Sequence, residues 1–129
     1  MIDVAIDEAL ARRRPHLLLC TNGTRAARIF QRHERWDEAS RYLLLPDQPD
    51  QQRLHEAIYS LKRTHDVASL VPLIGKLLGK YNVSSMMTGC TDLHLLTRYL
   101  SRQPSDCHIE ITDPLEIIAR NLKNFLEDH

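Results

Sequence analysis

The stretch MMTGCTDLHLL, Met86 to Leu96, sets Cys90 between Gly89 and Thr91, with Asp92 next in line. An apolar run gives way there to a helical pattern, so the thiol is expected among exposed backbone N–H groups at the positive end of the following helix. Both features favour the thiolate, the form of cysteine that acts as base or nucleophile. Cys90 is therefore the candidate acid/base. Asp92 has two roles open to it: an acid in the first helical turn is favoured by the dipole alone, and it could also orient a substrate ammonium or polarise the thiol. A second turn, Thr21, Asn22, Gly23 and Thr24, offers hydroxyls and N–H groups suited to a carboxylate, and Thr91 adds another hydroxyl. The chemistry suggested is a small acid held over a thiolate.

The remaining titratable residues point to structure. Cys20, at the end of an apolar strand, and Cys107, before another, read as small core residues. His94 falls one turn into a helix and reads as a surface or hydrogen-bonded histidine. The other histidines lack ligand spacing, so no metal is expected, and Arg12 to Arg14 read as a solvated cluster at a helix end. Three widely spaced cysteines fit free thiols better than a disulfide framework.

These turns need strands and helices to hold them. Ile2, Ala5, Ile6, Ala9 and Leu10 recur at helical spacing before Pro15. HLLLC (16–20) and RYLLL (41–45) read as buried strands, with VSSMM (83–87) and HIEI (108–111) as two more. Thr21 or Thr24 is expected to cap a helix from about Arg25 to Arg32, Asp50 a helix carrying Leu54, Ile58 and Leu61, and Ser69 a helix with Pro72 in its first turn. A short helix spans Leu93 to Arg98. Asp113, Pro114 and Glu116 form an aspartate capping box for a last helix reaching about Leu126. Apolar strands separated by amphipathic helices predict one α/β domain over residues 1–129, a flavodoxin- or Rossmann-like three-layer fold with a four-stranded parallel sheet. Its ligand site is expected beyond the carboxyl ends of the strands.

With 129 residues there is one core's worth of chain. Lys plus Arg equal Asp plus Glu at 17 each, so no net field favours nucleic acid or an anionic membrane surface. No apolar run approaches the roughly 20 residues that span a bilayer, and the N-terminus is unlike a signal peptide, so a cytoplasmic location is expected.

The motifs resemble those of the aspartate/glutamate racemase family. LLLCTNGTRAARIF is similar to the strand, Thr-rich turn and helix that open the family's second half, and LPDQPDQQRLHEAIYSLKRTHD resembles its Pro-Gln and IY-x-hydrophobic-K segment. TGCTDLHLL resembles the second catalytic cysteine motif, and ITDPLEIIA the closing Asp-Pro segment. The resemblance implies cofactor-independent racemisation of a small amino or carboxylic acid in a cleft between two α/β lobes, with a cysteine on each side of the α-carbon. It makes Cys90 the second-lobe acid/base, Thr91 and Asp92 its neighbours, and Thr21, Asn22, Gly23 and Thr24 the carboxylate wall. Nothing in the chain resembles the first lobe, and Cys20 holds a strand position that is usually small and apolar. The resemblance therefore implies a homodimer or a complementary racemase lobe. Two rivals stand beside it: a catalytically inactive half that binds or regulates, and thiol-based hydrolysis, for which no Cys-His-acid set can be placed.

Overall fold

The computed structural model describes residues 2–103 and 109–128. Cys107 and His108, expected before and within the fourth strand, lie outside the described residues. The order of elements is α1 (Ile2–Arg12), β1 (His16–Leu19), α2 (Asn22–Ala26), α3 (Trp36–Ala39), β2 (Leu43–Leu44), α4 (Gln48–Thr64), α5 (Val71–Tyr81), β3 (Ser85–Thr88), a 3-10 turn (Thr91–Leu93), α6 (His94–Ser101), β4 (Glu110–Thr112) and α7 (Pro114–Asp128).

The four strands form one parallel sheet in the order β2-β1-β3-β4. Every residue of β1 and β3 is buried, as expected of inner strands covered on both faces. Alternation along β1 divides the core. Leu17 and Leu19 join Met86, Leu54, Ile58, Leu61, Ile74, Leu77 and Leu96 on the face covered by α4, α5 and α6. Leu18 and Met87 join Ala5, Ile6, Ala9, Phe30, Ala39 and Leu43 on the other. The three-layer parallel architecture read from the strand and helix pattern is the observed one.

Several local expectations are corrected. The helix expected from Arg25 to Arg32 is instead α2, ending at Ala26, because Arg28 adopts a left-handed backbone (φ 55°) and turns the chain so that Phe30 is buried. Asp47, not Asp50, caps α4: its side chain accepts the Asp50 N–H at 3.0 Å, with Pro49 in the first turn. Asp50 is buried, and it accepts hydrogen bonds from Lys80, Tyr81 and Arg53 that tie α4 to the end of α5. Ser69 does not cap α5; its hydroxyl donates to the Asp66 carbonyl in the preceding turn. Pro72 does sit in the first turn of α5. At α7, Asp113 accepts the Leu115 N–H at 2.9 Å, whereas Glu116 pairs with Arg120 rather than closing the box. The short helix α3 carries no sequence signal that separated it from the loop.

Candidate functional site

β1 and β3 are neighbours with Leu19 paired to Thr88, and the Gly89 N–H donates to the Leu19 carbonyl at 2.7 Å. The turns that follow these two strands therefore meet at one end of the sheet. In a 2-1-3-4 order this is where the winding direction reverses, the usual place for a ligand in an open parallel sheet. The Thr21–Thr24 turn and the Cys90 turn are thus brought together, as a shared site requires.

The role of Gly89 follows from close approach. A Cβ there would lie 3.1 Å from Phe30 Cε2 and 3.2 Å from the Leu19 carbonyl oxygen. The left-handed turn at Arg28 puts Phe30 against this position, so a glycine lets β3 hand Cys90 to the site beside β1. Gly89→Ala is expected to cost about 1–3 kcal/mol by overpacking, measured as a lowered denaturation midpoint at unchanged slope.

Around the thiol, Cys90 Sγ donates to Asp92 Oδ2 at 3.5 Å, and Lys62 Nζ lies 3.3 Å from the same oxygen. Lys62 also stands 4.7 Å over the Tyr59 ring, which packs 4.6 Å from His55. His55 Nδ1 accepts the Asn22 N–H at 3.0 Å. Gln51 donates to the Cys20 carbonyl at 2.8 Å and to Asn22 Oδ1, while Asn22 donates to Gln52. One face of α4 therefore runs from the Thr21–Thr24 turn to Cys90. Within that turn Thr21 is the N-cap of α2, and its hydroxyl lies 3.3 Å from that of Thr24. Gly23 and Thr91 are exposed.

Of the sequence-derived set, Cys90 and Asp92 are in contact, and Asn22 is locked to α4. Lys62 and His55 are additions. Their spacing with Tyr59 on one helical face was legible in the sequence, but nothing in it tied that face to the thiol.

The expectation that the turn lowers the Cys90 pKa is overturned. Burial pushes the thiol up, and the Asp92 carboxylate adds to this through its hydrogen bond and its charge; the Asp92 N–H and the Lys62 ammonium oppose the rise. A three-residue 3-10 turn, Thr91–Leu93, separates Cys90 from the start of α6. Cys90 therefore rests as a thiol in the isolated chain. The bond to Asp92 holds the Lys62 ammonium above its ordinary pKa. Cys20 is buried, and burial pushes its pKa up to about 11. Iodoacetamide is expected to modify half-buried Cys90 faster than Cys20, and Asp92→Asn to raise the Cys90 rate at pH 8 several-fold by removing the charge that disfavours the thiolate. Mass spectrometry of the alkylated peptides checks both.

Beside the site, Asp113 is buried at the end of β4 and accepts bonds from Thr97 and from His94 Nδ1, each at 2.7 Å. His94 is thus a hydrogen-bonded histidine, as its position in the sequence suggested. Among the described residues no group of three His, Cys, Asp or Glu is placed to hold a metal ion, and no helix is long and apolar enough to cross a membrane.

No protein-family model matches the chain, and no curated protein does. Among solved structures, the chain is similar to the crystal structure of an aspartate racemase homologue from Pyrococcus horikoshii, with 25% sequence identity and a TM-score of 0.67. The match covers 96% of this chain and 54% of that one, so the chain spans about half the length of its structural relative. Across nearly all its residues, this chain has the α/β fold found in about half of an aspartate racemase homologue.

Proposed function

We propose that this chain is the second-lobe half of a cofactor-independent amino-acid racemase of the aspartate/glutamate type. The observation that carries the proposal is the meeting of Cys90 and the Thr21–Thr24 turn at the switch point between β1 and β3, on the fold of an aspartate racemase homologue. The substrate is a small amino or carboxylic acid. The Gly23 N–H and the hydroxyls of Thr21, Thr24 and Thr91 hold its carboxylate, Asn22 fixes that turn through its bonds to His55 and Gln52, and Cys90 faces the α-carbon. Because Cys90 rests protonated, it acts first as the acid. A base on the opposite face removes the α-proton, Cys90 gives its S–H proton to the carbon, and the thiolate left behind is neutralised by Lys62 and reprotonated by solvent after release. Asp92 holds Lys62 beside the sulfur. The opposite base comes from a second lobe, either another copy of this chain or a separate protein, and the closed site lies between the two.

A second reading is favoured by the raised Cys90 pKa: a half-racemase that binds a small carboxylic acid without turning it over. Incubation of the assembled protein with aspartate or glutamate in heavy water separates the two. Exchange of the α-hydrogen for deuterium supports the racemase, and binding without exchange supports the inactive half.

A further inference from the structure

On the far side of β1 from Cys90, between the Asn22 turn, the end of β2 and the start of α4, lies a cavity of about 560 Å³. Asn22, Arg25, Arg28, Gln31, Gln48 and Gln51 line it, and none of its lining residues is acidic. The charge there is that of two arginines among primary amides. Arg25 is held in place by donating to the Pro46 carbonyl, while Arg28 is exposed and projects from a left-handed backbone.

The second, independent observation is Gln51. It is 1% exposed, and its Nε2 donates to both the Cys20 carbonyl and Asn22 Oδ1. Those two bonds fix the orientation of the amide and with it the position of its oxygen. That oxygen is buried and finds no donor among the described residues. A buried carbonyl oxygen without a donor is costly, and a hydroxyl brought to it removes the penalty. Guanidinium forks match the geometry of a phosphate and bind it in pairs of hydrogen bonds. A cavity of this volume admits a molecule of several heavy atoms and is large for a free phosphate ion.

We propose that this cavity is a second ligand site, adjoining the Cys90 site at Asn22, that takes a phosphate monoester bearing a hydroxyl group, of sugar-phosphate size. Arg25 and Arg28 bind the phosphate, and Gln51 Oε1 accepts from the hydroxyl. The site does not depend on the racemase reading, because the phosphate is held by Arg25 and Arg28, which that reading does not use.

The test is titration with ribose 5-phosphate followed by backbone amide shifts. Shifts are expected at residues 22–31 and 48–51. Ribose without phosphate should leave them unmoved, and inorganic phosphate should bind at least tenfold more weakly. Arg28→Asn, chosen because asparagine tolerates the left-handed backbone, should weaken ribose 5-phosphate at least tenfold, and Arg25→Gln should do the same. Cys90→Ala should leave binding intact, so that failure here and failure of the racemase proposal are told apart. No shifts at these residues with millimolar ribose 5-phosphate would overturn the proposal, as would affinity unchanged in both arginine variants, or inorganic phosphate binding as tightly as the ester.

Discussion

Asp113→Ala is expected to lower stability by about 3 kcal/mol, a large fraction of the roughly 5–15 kcal/mol that holds a domain folded. The carboxylate is buried and serves three donors at once: the Thr97 hydroxyl, the His94 ring and the Leu115 N–H at the start of α7. Alanine leaves the buried Thr97 hydroxyl without its acceptor, at about 1–3 kcal/mol, and removes the bond from the Leu115 N–H, a helix cap worth about 1 kcal/mol. A melting temperature lower by about 10 °C is the readout. Asp113→Asn keeps an acceptor and the shape, so its loss should be smaller. The pH dependence has a definite sign. Burial alone would raise the Asp113 pKa, but the bonds from Thr97, His94 and Leu115 outweigh it and hold the carboxyl below the ordinary value. A carboxyl depressed in the folded state contributes stability that is fully present above its unfolded pKa and is lost as pH falls through the folded one. Asp113→Ala should therefore lose its share of the acid destabilisation seen in the parent protein.

This acid joins three parts of the fold, and its cap was legible from Asp113 and Pro114 alone. Its partners were not, because Thr97 and His94 lie on α6 and reach it only once β4 has paired with β3. The same division holds elsewhere. The strands were legible because HLLL and SMMT are buried on both faces and each is bounded by a turn. The end of α2 was not, since a left-handed arginine at position 28 has no signature in local propensity; the burial of Phe30 against Gly89 is a tertiary effect. At α4 two acids flank Pro49, and the reading from the apolar face chose the nearer one, whereas the helix begins earlier and draws Asp50 into the contact with Lys80 and Tyr81. For the thiol, position in sequence put Cys90 in the turn after β3, where it is found, and mistook its electrostatics, which depend on burial and on how Asp92 folds back toward the sulfur.

The surface of α7 bears on assembly. Leu122, Phe125 and Leu126 are 57%, 59% and 65% exposed on successive turns of a helix whose deeper residues lie in its first turn and just beyond. Single exposed leucines are ordinary, but three large apolar residues on one stripe are the kind of surface that associating proteins cover. A second lobe seated on this stripe would remove it from water. Size-exclusion chromatography with light scattering is expected to show a dimer or a complex at micromolar concentration. Replacing both leucines, Leu122→Glu with Leu126→Glu, should weaken association at least tenfold, since burying each leucine contributes about 1.5–3 kcal/mol. A strict monomer in the parent protein would favour the inactive-half reading.

The largest effect is expected at Cys90, the one thiol among the described residues with a carboxylate and an ammonium beside it. With the second lobe present, aspartate or glutamate in heavy water should exchange its α-hydrogen for deuterium, since a solvent-derived deuteron on Cys90 is what reaches the carbon. Cys90→Ala should abolish that exchange while leaving binding of the amino acid in place, because the carboxylate contacts come from the Thr21–Thr24 turn and backbone N–H groups. The direct measurement is the α-proton signal of the amino acid followed by proton NMR with the assembled parent protein and with Cys90→Ala. The account predicts that the signal decays with the parent and persists with the variant; decay at the same rate with both would contradict the assignment of Cys90 as the proton-transfer residue.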